Sequence, residues 1–392
     1  MSGKIHKNIM REIKAVDKWF AIPFFSLIAF SILAVYSASG YSAMRDFGNP
    51  NHYLNRQLIN VGVSLFLALI VYIFPFRVLK NKRFIQLGTI AIFLLLIAVF
   101  FFAPHLGARR WLPLPGFNIQ PSEFAKFFVI WYLAYIFSRN QRGLEYNFRK
   151  TIVQPVTLVV FIIALIILQP DTGTAIIIAL MVLFIVSASG APMRYGFLFI
   201  SLVFIGGGAV LFLIYKFGDK LPFLSYRYDR FLGLWDPFGY YETHGHQLVN
   251  SYYALSRGGV FGVGIGNSVQ KTGYLPFPYT DFIIAIIGEE IGLIGVFFVL
   301  LALGTIIGRS FYLASKSKDS FNSLILIGVG SMLLIQSLVN LAGVIGLIPI
   351  TGVTFPFLSY GGSSVMVVSS SVALAANAAN AEQKIKNEKN EN

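Results

Sequence analysis

Asp281 stands where a polar segment rich in Gly and Pro meets a long apolar run, in the stretch GIGNSVQKTGYLPFPYTDFIIAIIGEEIG, residues 264–292. Pro276 and Pro278 stop any earlier helix and Thr280 suits an N-cap, so the pattern predicts Asp281 in the first turn of a helix. A carboxylate there can cap the helix, which the macrodipole favours. If that helix crosses a membrane, it can instead act at the border of water and lipid. Two further features point to the second role. Arg109, Arg110 and Trp111 occupy a short loop beside Pro113 and Pro115, and a guanidinium pair with an interfacial Trp suits a phosphate at headgroup level or an anchor on anionic lipid. Residues 349–364, PITGVTFPFLSYGGSS, carry no charge but offer Ser359, Tyr360, Ser363 and Ser364. Irregular backbone at membrane depth belongs beside a cavity, and this one is expected to share a pocket with Asp281.

Other ionisable residues divide by position. Glu123 and Lys126 are three residues apart in QPSEFAK, so they can pair on one helix face, either as a structural ion pair or as part of a substrate site. Glu289 and Glu290 lie about 12 Å along the helix from Asp281 at 1.5 Å per residue. Packing, or support from behind, suits them better than the pocket itself. His244 and His246 form H-x-H with no third ligand nearby, so no metal site is assigned. No phosphate loop, no dinucleotide fingerprint and no D-x-D is present, which argues against ATP and nicotinamide chemistry.

The elements that must position these groups are apolar. Of 392 residues, 56% are hydrophobic, 12% are charged and 38 are Phe, which is an integral membrane composition. The net charge of +14 is spread between apolar runs rather than gathered into a nucleic-acid patch. The absence of Cys excludes disulfides and thiol nucleophiles. Runs of spanning length fall near 20–41, 56–74, 84–104, 122–138, 152–169, 172–190, 195–216, 281–308, 320–346 and 361–380, with a break at Gln169-Pro170-Asp171. The expected fold is therefore all-α, with ten transmembrane helices, a membrane domain over 1–381 and a disordered cytoplasmic tail over 382–392. The basic N-terminus before the first run reads as a retained anchor. Lys and Arg divide 20 to one face and 10 to the other, with Lys126 inside a span, which places both termini in the cytoplasm. The large loop, 216–280, is then extracytoplasmic and too long to lack structure. Within it, 246–255 predicts an interfacial helix showing Val249, Tyr252 and Tyr253 on one face.

GARRWLPLPGFNIQPSEFAK, QPDTGTA, RYDRFLGLWDPF, GVGIGNSVQK, YTDFIIAIIGEEIG and TFPFLSYGGSS resemble, in order, the motifs of the SEDS (shape, elongation, division and sporulation) family of bacterial peptidoglycan polymerases. The resemblance covers most of the chain, and GIGNSVQKTGYLP with residues 351–364 is closer to the division branch than to the elongation branch. It implies a glycosyltransferase that joins lipid II units outside the cytoplasmic membrane, beside a class B penicillin-binding protein transpeptidase and other division proteins. The family's essential carboxylate falls on Asp281, which becomes the general base of an inverting transfer. Arg109, Arg110, Trp111, Lys126, Ser359 and Ser363 become candidate substrate contacts, and Glu123, Glu289 and Glu290 supporting residues. A divalent cation, magnesium or manganese, is a candidate helper at the diphosphate. Many relatives carry Glu and His in a P-E-x-H-T-D segment where this chain has Phe277 and Tyr279, so no accessory role carries over to those two positions. A lipid II flippase and a non-catalytic division scaffold are the rival classes. The first calls for ionisable residues at the midplane, and the second leaves the carboxylate and arginines without a purpose.

The topology is open to direct test because the native chain has no Cys. An impermeant thiol reagent on intact cells is expected to label Ser268→Cys and to spare Ser317→Cys. The reverse pattern would overturn the orientation.

Overall fold

The computed structural model describes residues 16–390 apart from 104–108, 115–116, 142–148, 219 and 221. Lys4, Lys7, Arg11, Lys14, Pro115 and Arg142 lie outside the described residues. The helices are α1 Lys18–Phe47, α2 His52–Ile73, α3 Phe76–Leu79, α4 Lys82–Ala98, α5 Pro121–Arg139, α6 Gln154–Leu168, α7 Thr172–Ala188, α8 Met193–Phe217, α9 Pro222–Trp235, α10 His246–Gly258, α11 Ile283–Lys316, α12 Ser320–Val344 and α13 Gly362–Asn390. A hairpin of β1 Leu112–Leu114 and β2 Phe117–Ile119, pairing Leu112 with Ile119, is a small β addition to the expected all-α fold.

Among the described residues, seven helices are long and apolar enough to cross a membrane. They contain α1, α2, α4, α6, α11, α12 and the first part of α13. The remaining expected spans, near 122–138, 172–190 and 195–216, coincide with α5, α7 and α8. α5 opens on Glu123 and Lys126, which dilutes its apolar character, and α7 has 17 residues. The break between α6 and α7 falls at Gln169-Pro170-Asp171 as expected, and the Asp171 carboxylate accepts from Thr174 N to cap α7.

Burial identifies the middle of the bundle. The apolar windows of α12 and α13 are 78% and 89% buried against 22% for α4, so the first two are surrounded by protein and the last faces outward. α12 packs on α5, α7, α11 and α13, while α13 packs along α2. The loop 216–280 holds α9, α10 and a 3₁₀ turn, Gln270–Thr272. α10 forms as expected, but its face differs. Val249 is buried with Leu248, Ser251 and Ala254 against the bundle, and Tyr253 is 50% exposed.

α11 is two helices end to end. Gly292 takes φ 76° and ψ −172°, which breaks the ladder, and the chain after α10 fills the break. Val263 N donates to Glu289 O at 3.0 Å and Gly264 N to Glu290 O at 2.9 Å. Leu293 N donates to Gly259 O at 3.0 Å and Ile294 N to Val260 O at 3.2 Å. Backbone groups freed by the break are thus satisfied from the loop. This approach needs glycine: a Cβ on Gly258 would meet Gly288 O at 1.9 Å and one on Gly292 would meet Val260 O at 2.3 Å.

α13 continues to Asn390, through the segment expected as a disordered tail from 382. The Glu382 carboxylate accepts from Ser317 Oγ at 2.9 Å, Lys318 N at 2.9 Å and Asn322 Nδ2 at 3.3 Å, which pins the helix to the α11–α12 turn. Glu391 and Asn392 lie outside the described residues.

Gly292→Ala combines a left-handed φ with a clash and is expected to cost about 2–5 kcal/mol. Gly304→Ala, in regular helix with open space around it, is expected to be neutral or to stabilise by up to about 1 kcal/mol. Melting of the detergent-solubilised proteins compares them. Equal losses would contradict the threaded break.

Candidate active site

Asp281 lies in the turn before α11, whose N-cap position is Phe282 with no side-chain cap. This corrects the expected placement in the first helical turn with Thr280 as the cap. Thr280 Oγ1 instead stands 2.7 Å from Asp281 Oδ1 and 3.0 Å from Phe277 O. Asp281 is therefore not engaged as the helix cap. Its main chain is held from behind, where Asn340 Nδ2 donates to Asp281 O and to Val353 O, both at 2.7 Å. Tyr360 N donates to Tyr279 O at 2.8 Å. The loop 349–361 and the Asp281 turn are thus fastened together.

Burial raises the Asp281 carboxyl above its ordinary value. The Thr280 hydroxyl, its own backbone N–H, Arg230 and Arg110 pull in the opposite direction. Arg110 is therefore close enough to act on Asp281, and so is Arg230. Arg227 joins them: burial lowers its affinity for the proton, with the neighbouring Arg110 charge adding to the effect. The break between α6 and α7 helps to orient this group, since carbonyls at a helix end lack intrahelical partners. Arg227 donates to Ile167 O at 3.3 Å and Arg110 to Pro170 O, while Arg230 donates to Ile350 O. Arg110 Nε is buried with no hydrogen-bond partner among the described residues, a donor without an acceptor. A cavity of about 210 Å³ adjoins the site, lined in part by Arg230, His244, Gln247 and Ile350.

The structure redistributes the other expected site residues. Arg109 is exposed and donates to Phe100 O at 3.1 Å, so of the two adjacent arginines it is Arg110 that acts on Asp281. Trp111 is half-buried at the start of the hairpin. Lys126, expected to contact substrate, is 0% exposed and bonded to Glu123 Oε1 at 2.9 Å and Gln336 Oε1 at 2.7 Å. Glu123 is thus its structural partner. Ser359 and Ser363, also expected to meet substrate, are used inside the fold. Ser359 Oγ accepts from Phe355 N at 2.7 Å, and Ser363 Oγ accepts from Gln120 N at 2.9 Å and donates to Asn118 O at 3.1 Å. Both are buried and have no surface to offer.

Glu289 and Glu290 are hydrogen-bonded inside the fold. Glu289 accepts from Arg257 at 2.8 Å, Ser268 Oγ at 2.5 Å and Val269 N at 2.9 Å, and Glu290 from Lys271 Nζ at 2.5 Å and Ser37 Oγ at 2.7 Å. Tyr279 is a packing residue. Its ring lies 4.4 Å from Tyr53 and 5.7 Å from Tyr360, and burial pushes its hydroxyl pKa up. Three residues that sequence reasoning passed over matter here: Gln336, Asn340 and Asp171. Asp171 Oδ2 accepts from Ser122 Oγ at 2.7 Å and Gln120 Nε2 at 2.9 Å, joining the starts of α5 and α7. A search for neutral amides within apolar runs would have found Gln336 and Asn340.

Among the described residues no three His, Cys, Asp or Glu side chains gather as a metal cage. His244 faces Asp229 at 3.6 Å while His246 packs on Tyr241. The described residues therefore offer no three-ligand cage for a resident divalent ion.

A family model described as "Cell cycle protein", for FtsW, RodA and SpoVE, matches residues 18–384. The chain is 40% identical over 375 residues to the "Probable peptidoglycan glycosyltransferase FtsW" of Bacillus subtilis, covering 94% of this chain and 92% of the relative. Stage V sporulation protein E of the same organism is 34% identical, over 90% of this chain and 93% of the relative. A solved structure described as "Structural coordination of polymerization and crosslinking by a peptidoglycan synthase complex" superposes with a TM-score of 0.72 at 26% identity, covering 94% of this chain and 98% of the other. The rod shape determining protein RodA of Thermus thermophilus shares the fold, with a TM-score of 0.67 at 24% identity over 94% and 97% of the two chains.

A carboxyl whose pKa is raised on folding stabilises the protein below its unfolded value and loses that contribution as pH rises through its folded value. The wild type is therefore expected to lose stability relative to Asp281→Asn as pH climbs from about 4 through the raised value, read as melting temperatures across pH 4–8. Capping of the dipole by an ionised carboxylate would give the opposite trend.

Proposed function

The chain belongs to the FtsW/RodA/SpoVE family, and from that membership we propose how its Asp281 site carries out glycan polymerisation. It is a multi-pass membrane protein and a peptidoglycan glycosyltransferase of septal cell-wall synthesis. The donor in our reading is lipid II, a disaccharide peptide linked to a lipid through a diphosphate. Asp281 takes the proton from the acceptor sugar hydroxyl as that oxygen attacks the donor's anomeric carbon. The new glycosidic bond forms as the bond from that carbon to the phosphate oxygen breaks. The lipid diphosphate leaves with the electron pair, and the anomeric centre inverts. One carboxylate suffices for this single displacement.

The observation that carries the reading is the placing of Arg110 and Arg230 around a half-buried Asp281. Burial makes the carboxylate a stronger base, closer to working pH. Guanidiniums fixed in advance can neutralise charge on the leaving diphosphate without reorganising. Arg110 Nε supplies an open donor for it. No step draws on a divalent cation.

The wider arrangement follows the same reading. Adding α5, α7 and α8 to the seven long helices makes ten crossings, with both termini cytoplasmic and Asp281 outside. A class B penicillin-binding protein is the proposed partner, with other division proteins beside it. A transporter reading would look to the broken helix at Gly292, since broken helices line transport sites. Here the break is filled by residues 259–264 of the same chain, and its two glutamates are paired with Arg257 and Lys271.

Arg110→Gln and Arg230→Gln are each expected to lower the rate of polymer formation from lipid II on the order of 100-fold. The purified chain with its partner synthase is assayed by gel separation of glycan strands. Wild-type rates in both variants would remove the arginines from the mechanism. A folded, partnered wild type that translocates lipid II but makes no polymer would favour the transporter.

A further inference from the structure

At the end of the bundle away from Asp281, α4, α5 and α6 enclose a groove of about 1090 Å³. The ends are distinguished by helix direction: α5 starts beside Asp171, at the Asp281 end, and closes on Arg139, while α4 opens on Lys82. Lys82, Arg83 and Arg139 stand in the groove's lining, Ile90, Ile136 and Leu158 supply apolar wall, and among the described residues no Asp or Glu lines it. We propose that this groove binds one anionic phospholipid, its phosphate among the three cations and its acyl chains along Ile90, Ile136 and Leu158.

Charge is the first argument. Two cations at this end have carboxylate partners: Lys80 lies 2.7 Å from Asp319 and Arg309 2.6 Å from Asp17. Among the described residues, Lys82, Arg83 and Arg139 have none within ion-pair distance. Position sharpens the need for an anion. Lys82 and Arg83 are the first two residues of α4, whose first turn contains no acidic residue, so both sit at the positive end of the helix dipole. A phosphate there is attracted by two side chains and by the helix end together.

Shape is the second argument. Arg139 is already held in place, donating to Tyr135 Oη at 2.8 Å with its guanidinium 5.6 Å from that ring. From Lys82 to Ile90 the groove extends about 12 Å along α4, enough for a glycerophosphate and the first acyl carbons. Leu87 and Ile90, 63% and 57% exposed, leave it open sideways, the direction from which a bilayer lipid enters.

The test uses the full chain purified in detergent and titrated with phosphatidylglycerol, with bound lipid counted by native mass spectrometry. Each cation contributes about fivefold, so Lys82→Gln/Arg83→Gln/Arg139→Gln is expected to bind on the order of 100-fold more weakly. Ile136→Trp keeps every charge but fills the groove, and is expected to lose the lipid as well. If the triple variant does not fold, this plug decides the question, and retention of the lipid in it overturns the proposal. So does equal binding of phosphatidylcholine by the wild type, or unchanged affinity in a folded triple variant. Displacement by inorganic phosphate at equal concentration would mean an anion site without acyl contacts, and would also overturn it.

Discussion

Two amides one helical turn apart on α12 hold the site to the bundle. Gln336 accepts from the buried Lys126 and donates to Thr354 O, while Asn340 donates to Val353 O and to Asp281 O. Lys126 cannot be charged and unpaired in this interior without large cost, so Glu123 and Gln336 are obligatory partners. The ion pair on α5 thereby fixes the rotamer of Gln336, which fixes the loop before α13, which meets the Asp281 turn through Asn340 and through Tyr360. Asp281 is thus placed by hydrogen bonds to main chain rather than by its own side chain. Its carboxylate meets the Thr280 hydroxyl and its own backbone N–H, with Arg230 and Arg110 acting on it by charge.

A second constraint acts from the other side. The chain after α10 is threaded through the break at Gly292 and locked there by Glu289 and Glu290, each with a cationic partner. Two buried carboxylates would be costly alone; paired, they tie residues 257–271 to the helix that begins beside Asp281. The arginines come from a third direction: Arg110 and Arg227 are aimed by carbonyls at the broken end of α6, and Arg230 by Ile350 O. Base and cations are consequently mounted on separate elements.

How much of this was legible depended on the range of the interaction. Apolar runs are local, so each of the ten falls on a helix, seven of them long and apolar enough to cross a membrane among the described residues, and the Pro170 break falls where the sequence predicted it. The junction that singles out Asp281 is local too. The partners of Lys126 and Ser363 were not legible because polarity alone does not reveal a partner: Gln336 is 210 residues from Lys126, and Ser363 is 243 from Gln120. Arg109 and Arg110 read alike in sequence. Leading into a strand, successive side chains alternate sides, which accounts for only one of the pair acting on Asp281. The short offset between Asp281 and the helix start was missed because Thr280 fits a cap by type, while its hydroxyl is bound to Phe277 O and Asp281 instead.

The central claim is that the Asp281 carboxylate accepts the proton in glycosyl transfer. Asp281→Asn keeps the side-chain size and the oxygen facing Thr280, yet removes that capacity. With purified, partnered protein and lipid II, polymer formation by this variant should fall at least about 100-fold while lipid II binding persists. Polymerisation near the wild-type rate by a folded Asp281→Asn protein would contradict the account.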